Sequence, residues 1–185
     1  MPRSGKGRKL PAEVLTRDEA RALIAACSAT APTGIRNRAL LVVLYRGGLR
    51  LDEALSLFPK YLDPARGTVR VLHGKGDKAR TVVLDPLALA VVERWATERR
   101  RLGITSRRRL FCTLAGGPLD PSYLRQLLPR LARRAGIDKR VHAHGLRHTH
   151  AAELGVSGVT VPKRRVEQRL MMIRRCAARP CLGRR

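Results

Sequence analysis

A chain of 185 residues, 44% of them apolar, is long enough for one packed domain, and its 39 Lys and Arg against 14 Asp and Glu give a formal net charge of +25. That excess favours a polyanion, and an aromatic content of 3% leaves few platforms on which single strands could stack, so duplex nucleic acid is the first partner to consider. No apolar run approaches the roughly 18 residues of a membrane span, and the four cysteines (Cys27, Cys112, Cys176, Cys181) show no C-x-x-C spacing, which excludes a membrane protein, a zinc knuckle and a disulfide framework.

Residues 1–11 are basic and aperiodic and read as a disordered arm. No apolar signal core follows Met1–Leu10, so a cytoplasmic protein is expected. Thr16-Arg17-Asp18-Glu19 is a capping box opening a helix to about Ser28, and Ala31-Pro32-Thr33-Gly34 breaks it. A largely apolar helix from Arg36 to Arg46, carrying Leu40, Leu41, Val43 and Leu44, is the expected centre of the core, and Gly47-Gly48 ends it. Arg50 opens the next helix. Between Tyr61 and Leu84 two β-prone runs, Thr68–Leu72 and Arg80–Leu84, flank a turn with Gly74, Gly76 and Asp77, which predicts a hairpin with Lys75 at its tip.

Asp85-Pro86 starts a helix ending near Leu102-Gly103, with Leu87, Val91 and Trp95 at four-residue spacing as its apolar stripe. Asp120-Pro121 starts another, with Leu124, Leu127, Leu128 and Leu131 on its inner face, Arg125, Arg130, Arg133 and Arg134 on the remainder, and Gly136 as its stop. A last helical run spans Leu146–Leu154. Helices, a small antiparallel sheet and helices again make an α+β fold, mainly helical. Residues 1–10 carry +4 and residues 162–185 carry +8, which leaves +13 on the middle, so the basic character belongs to the folded part as well as to the ends.

Three motifs occur in order: Gly48-Leu49-Arg50-Leu51-Asp52-Glu53-Ala54-Leu55, Gly74-Lys75-Gly76-Asp77-Lys78-Ala79-Arg80, and His144-Gly145-Leu146-Arg147-His148. In the last, His144 and Arg147 lie three apart, so on a helix they share a face and can reach one anionic group, which a phosphate satisfies. Together the motifs resemble the catalytic domain of the tyrosine recombinase (phage integrase) family, over about residues 12–161, with 162–185 a basic, degenerate tail. The family breaks a DNA strand by transesterification. That chemistry needs charge stabilisation on two non-bridging phosphate oxygens, an in-line nucleophile and a proton for the leaving oxygen.

The resemblance implies that Arg50 and Arg147 hold the scissile phosphate, each offering paired donors on a permanently charged plane. Backbone donors at the helix start beside Arg50 would add to the attraction. It implies Lys75 as the acid for the leaving 5′ oxygen and His144 as the group that handles the nucleophile's proton. Glu53 is expected to orient Arg50, His148 to be structural, and Lys78 and Arg80 to hold DNA phosphates away from the cleavage point. No metal and no small-molecule cofactor is expected; the four clustered histidines come without a ligand pattern for zinc.

The family's L-G-H segment and its attacking tyrosine do not follow Val161-Pro162, and the tyrosines are Tyr45, Tyr61 and Tyr123. No nucleophile is therefore assigned, and the tail reads as an out-of-frame or degenerate ending. The function expected is the DNA-binding domain of a site-specific tyrosine recombinase or integrase, without its own nucleophilic tyrosine, working on double-stranded DNA. A full-length recombinase is a second expected partner, because some relatives donate the tyrosine in trans. The alternative is a non-enzymatic DNA-binding protein that occupies or blocks recombinase sites, and the charge alone also allows a basic RNA-associated protein.

Overall fold

A computed structural model describes residues 13–72 and 79–156. The expected arm, the hairpin tip with Lys75 and Lys78, the domain boundary at 161 and the basic tail lie outside them. The helices are α1 (Arg17–Ala25), α2 (Pro32–Tyr45), α3 (Leu51–Leu55), α4 (Pro86–Arg101), α5 (Pro121–Arg134) and α6 (Ala143–Val156), and the strands β1 (Leu62–Asp63), β2 (Thr68–Val71) and β3 (Arg80–Val83). The expected mainly helical α+β fold with a small antiparallel sheet is the one observed. Among the described residues no helix is long and apolar enough to cross a membrane.

The core is organised by α2. Every residue from Gly34 to Tyr45 except Arg38 is buried, as befits a largely apolar helix, and it packs against α4, α1 and α3. This helix starts at Pro32, inside the segment expected to break the chain. A proline at the first helical position forfeits no bond, because that N–H has no partner within the helix, so Pro32 starts α2 instead of ending α1. The capping box forms at α1, where Thr16 Oγ1 accepts from the Glu19 N–H and Glu19 accepts from the Thr16 N–H.

In α4 the inner face is Ala88, Val92, Trp95 and Arg99, and Leu87 is 82% exposed. Of the expected stripe, Trp95 is buried and Val91 packs half-buried against the core, whereas Leu87 faces out and Ala88 takes the inward position. Arg99 extends this face: its guanidinium is buried at the end of the helix and donates to the carbonyls of Thr105, Arg108 and Arg109. Trp95 anchors the same segment, its indole N–H donating to the Leu110 carbonyl at 2.8 Å.

β2 and β3 form the expected hairpin in antiparallel register, Val71 opposite Arg80 and Thr68 opposite Val83. The two-residue strand β1 adds to the other edge of β2 and was not legible in the sequence; strands that short carry no alternation. At α5 the Asp120 cap and the leucine face are as expected. Its first turn is fixed to α2 by Tyr123, whose hydroxyl bonds to Asn37 while its ring lies under the buried Arg36 guanidinium.

Candidate phosphate-binding site

Gly48 has φ +57°, a left-handed turn that glycine adopts without steric cost, and it carries the chain out of α2 directly into α3. Arg50 sits at the N-cap of α3 with Glu53 three residues on. The Arg50 N–H donates to Glu53 Oε2 at 2.8 Å and its guanidinium to Oε1 at 2.8 Å. Of the backbone donors at this helix start, that of Arg50 itself is taken by Glu53.

Two further guanidiniums meet the same carboxylate. Arg80, the first residue of β3, donates through Nη1 to Oε1 at 2.8 Å and through Nη2 to Oε2 at 2.6 Å. Arg147, from α6, lies 4.0 Å from Oε2 and donates instead to the Gly48 carbonyl at 2.8 Å. The side chains of Arg50, Arg80 and Arg147 are 38%, 33% and 32% exposed, against 4% for Glu53. Three partly open guanidiniums thus ring one buried carboxylate, and the four groups carry a net charge of +2.

Burial alone would raise the Glu53 pKa, but the bonds from Arg80 and from the N–H and guanidinium of Arg50 outweigh it and hold the carboxyl at about 2. Burial, and then the charge of Arg50, lowers the Arg147 pKa from its ordinary value, which in an arginine still leaves a permanent cation. His144 and His148 are exposed one turn apart on α6, their rings edge to face with centroids 4.3 Å apart. Partial burial and then His148, Arg147, His142 and Arg50 push the His144 pKa below 6.5, so near pH 7 its imidazole is mostly neutral and can accept a proton.

Of the residues expected at the site, Arg50, Glu53 and Arg147 converge, and Glu53 is bonded to Arg50. Arg80, expected to hold phosphates away from the cleavage point, is bonded to Glu53 at the centre of the cluster. In the folded strand Arg80 alternates with the exposed Thr81 and shares the half-buried side of β3 with Val82, and a cation at such a position needs a counter-ion, which Glu53 supplies. His150, to which no role was given, packs its ring against Gly48.

Two of the three tyrosines have their hydroxyls bonded. Tyr45 is 2% exposed and donates to Glu153; burial and that bond push its pKa up to about 12. Tyr123 is held by Asn37. Tyr61 stacks edge-on with Phe58 and shares with Glu53 a cavity of about 230 Å³ that none of Arg50, Arg80 and Arg147 lines.

Residues 13–170 match the model of the phage integrase family. The chain belongs to the phage integrase family. It is similar to the tyrosine recombinase XerC of Xanthomonas axonopodis pv. citri (strain 306), 41% identical over 147 residues, which cover 80% of this chain and 46% of that protein. The tyrosine recombinase XerC 2 of Ralstonia nicotianae is 35% identical over 153 residues, 82% of this chain and 44% of the relative. The chain thus spans less than half the length of these relatives. Among solved structures, XerA recombinase superposes with a TM-score of 0.72 at 28% identity, over 85% of this chain and 54% of that one. XerH recombinase in a pre-cleavage complex with its difH substrate superposes with a TM-score of 0.66 at 30% identity, over 80% of this chain and 44% of that one.

Proposed function

We propose that this chain is the phosphate-binding part of a site-specific tyrosine recombinase catalytic domain, and that it acts on duplex DNA with a phenol that is not its own. The observation that carries the reading is the ring of Arg50, Arg80 and Arg147 around Glu53, a preassembled cationic pocket with His144 on the same helix as Arg147. Arg50 and Arg147 donate to the non-bridging oxygens as charge builds on the phosphorus, and because Glu53 has already fixed Arg50, little reorganisation is left for the transition state. Neutral His144 takes the proton of the attacking phenol. Lys75 is proposed to return one to the leaving 5′ oxygen, and Lys78 to hold a neighbouring phosphate; the similarity to XerH, a site-specific recombinase bound to its difH substrate, supports DNA as the partner.

Tyr45 gives its hydroxyl to Glu153 and Tyr123 bonds Asn37, which supports a phenol supplied in trans by a full-length recombinase. Without that partner the chain occupies a site and blocks it, which is the second reading. A nicked suicide duplex carrying a family recombination site separates the two. The chain alone should give no covalent adduct on a denaturing gel. Mixed with a full-length recombinase whose own phosphate-binding arginine is replaced by alanine, it should restore an adduct on the partner, and Arg147→Ala in this chain should abolish it. Binding without restored cleavage supports the blocking protein; an adduct on this chain that survives Tyr45→Phe, Tyr61→Phe and Tyr123→Phe together overturns the chemistry.

Binding should also be steeply salt-dependent. If about six phosphates are neutralised, affinity falls by ~10³ between 50 and 200 mM salt, and each lost contact lowers the log–log slope by about 0.9. Titrations of a fluorescent duplex at several salt concentrations measure the slope, and a preference for structured RNA at matched salt would count against the DNA reading.

A further inference from the structure

Arg80 does more in this arrangement than add a charge. We infer that Arg80 is a positioning residue: by filling both oxygens of Glu53 it keeps the guanidinium of Arg147 free for phosphate. The inference rests on the phosphate-binding reading of the ring.

A carboxylate offers about four acceptor positions. On Glu53 all are used: Oε1 receives Arg50 Nη1 and Arg80 Nη1, and Oε2 receives the Arg50 N–H and Arg80 Nη2. Arg147 is the next cation, 4.0 Å from Oε2, and it donates to the Gly48 carbonyl. Glu53 is 4% exposed, so water reaches it poorly and an opened acceptor position there strongly attracts the nearest donor. Without Arg80 that donor is Arg147, which would close onto Glu53 and turn away from the ligand.

Arg80 suits the task because it comes from a paired strand, opposite the buried Val71, and because its planar fork takes both oxygens at once. A lysine has the charge but not the fork. It can serve one oxygen well and leaves the other open to Arg147. Arg80→Lys therefore separates positioning from simple charge, since the net charge of the ring is unchanged.

The test follows the Nε–Hε signals of arginine side chains in ¹⁵N–¹H spectra of the whole chain during titration with inorganic phosphate, with Arg147→Ala used to assign the Arg147 signal. In the wild type the Arg147 signal moves on addition of phosphate. In Arg80→Lys and Arg80→Gln it has already moved before phosphate is added, and the apparent phosphate affinity read at Arg147 drops about tenfold, the worth of one charge-assisted hydrogen bond. The backbone amide spectrum of each variant establishes that it is folded, and should Arg80→Gln fail to fold, Arg80→Lys carries the comparison. An Arg80→Lys protein that responds to phosphate like the wild type overturns the inference and leaves the site reading intact. A wild type that shows no phosphate response at Arg147 overturns both.

Discussion

Glutamine in place of Glu53 is expected to cost about 3 kcal/mol of stability at neutral pH, the worth of holding a carboxyl at about 2 when its ordinary value is 4.5. Glu53→Gln keeps the shape but removes the one negative charge among three guanidiniums. The loss is larger than for an exposed ion pair because Glu53 is 4% exposed and takes donors from two arginines on separate elements. For a chain of this size the melting temperature should fall by about 6–12 °C.

The pH dependence has a definite sign. A carboxyl whose folded pKa is depressed stabilises the fold above its unfolded pKa, and that stability is lost as pH falls towards the folded value. The gap between wild type and Glu53→Gln should therefore be full above about pH 5 and close between about pH 4.5 and 2. Thermal melts of both proteins across that range provide the measurement, and a gap that does not change with pH would mean that Glu53 is not the ionised hub of the ring.

Alanine at Gly48 should do damage out of proportion to one methyl group. At φ +57° an L side chain costs about 1–2 kcal/mol. The added Cβ would also sit 2.8 Å from His150 Cδ2, and His150 is itself half-buried on α6. Either the ring swings away or α6 backs off. If α6 moves, Arg147 loses the Gly48 carbonyl that holds it at 2.8 Å.

Gly48→Ala is thus expected to cost about 2–3 kcal/mol in urea unfolding and to weaken duplex binding at the pocket as well. The double variant Gly48→Ala with His150→Ala removes the collision and should return the excess, leaving the backbone strain of about 1–2 kcal/mol and a small cavity. If the two substitutions are simply additive, His150 is not what Gly48 makes room for.

The amino-acid sequence by itself determined most of the local structure. Thr16, Asp85 and Asp120 mark helix starts because their side chains bond nearby backbone donors, and those caps form as read. The leucine face of α5 is legible for the same kind of reason, since helical periodicity depends only on neighbours in sequence. Pro32 and the α4 stripe were misread where local rules allow two outcomes: a proline both ends one helix and starts the next, and Leu87 and Ala88 compete for the same inward position until the packing of α2 against α4 chooses.

The site divides in the same way. Arg50 and Glu53 are three residues apart, so their pairing is a local matter. Arg147 and Arg80 come from α6 and β3, and nothing in their own neighbourhoods says that both face Glu53. Only the tertiary fold decided that Arg80 belongs at the centre, that Tyr45 spends its hydroxyl on Glu153, and that His150 needs a glycine opposite it. A buried charge is assigned its partner by whichever elements the core brings together, and that depends on packing across the whole molecule.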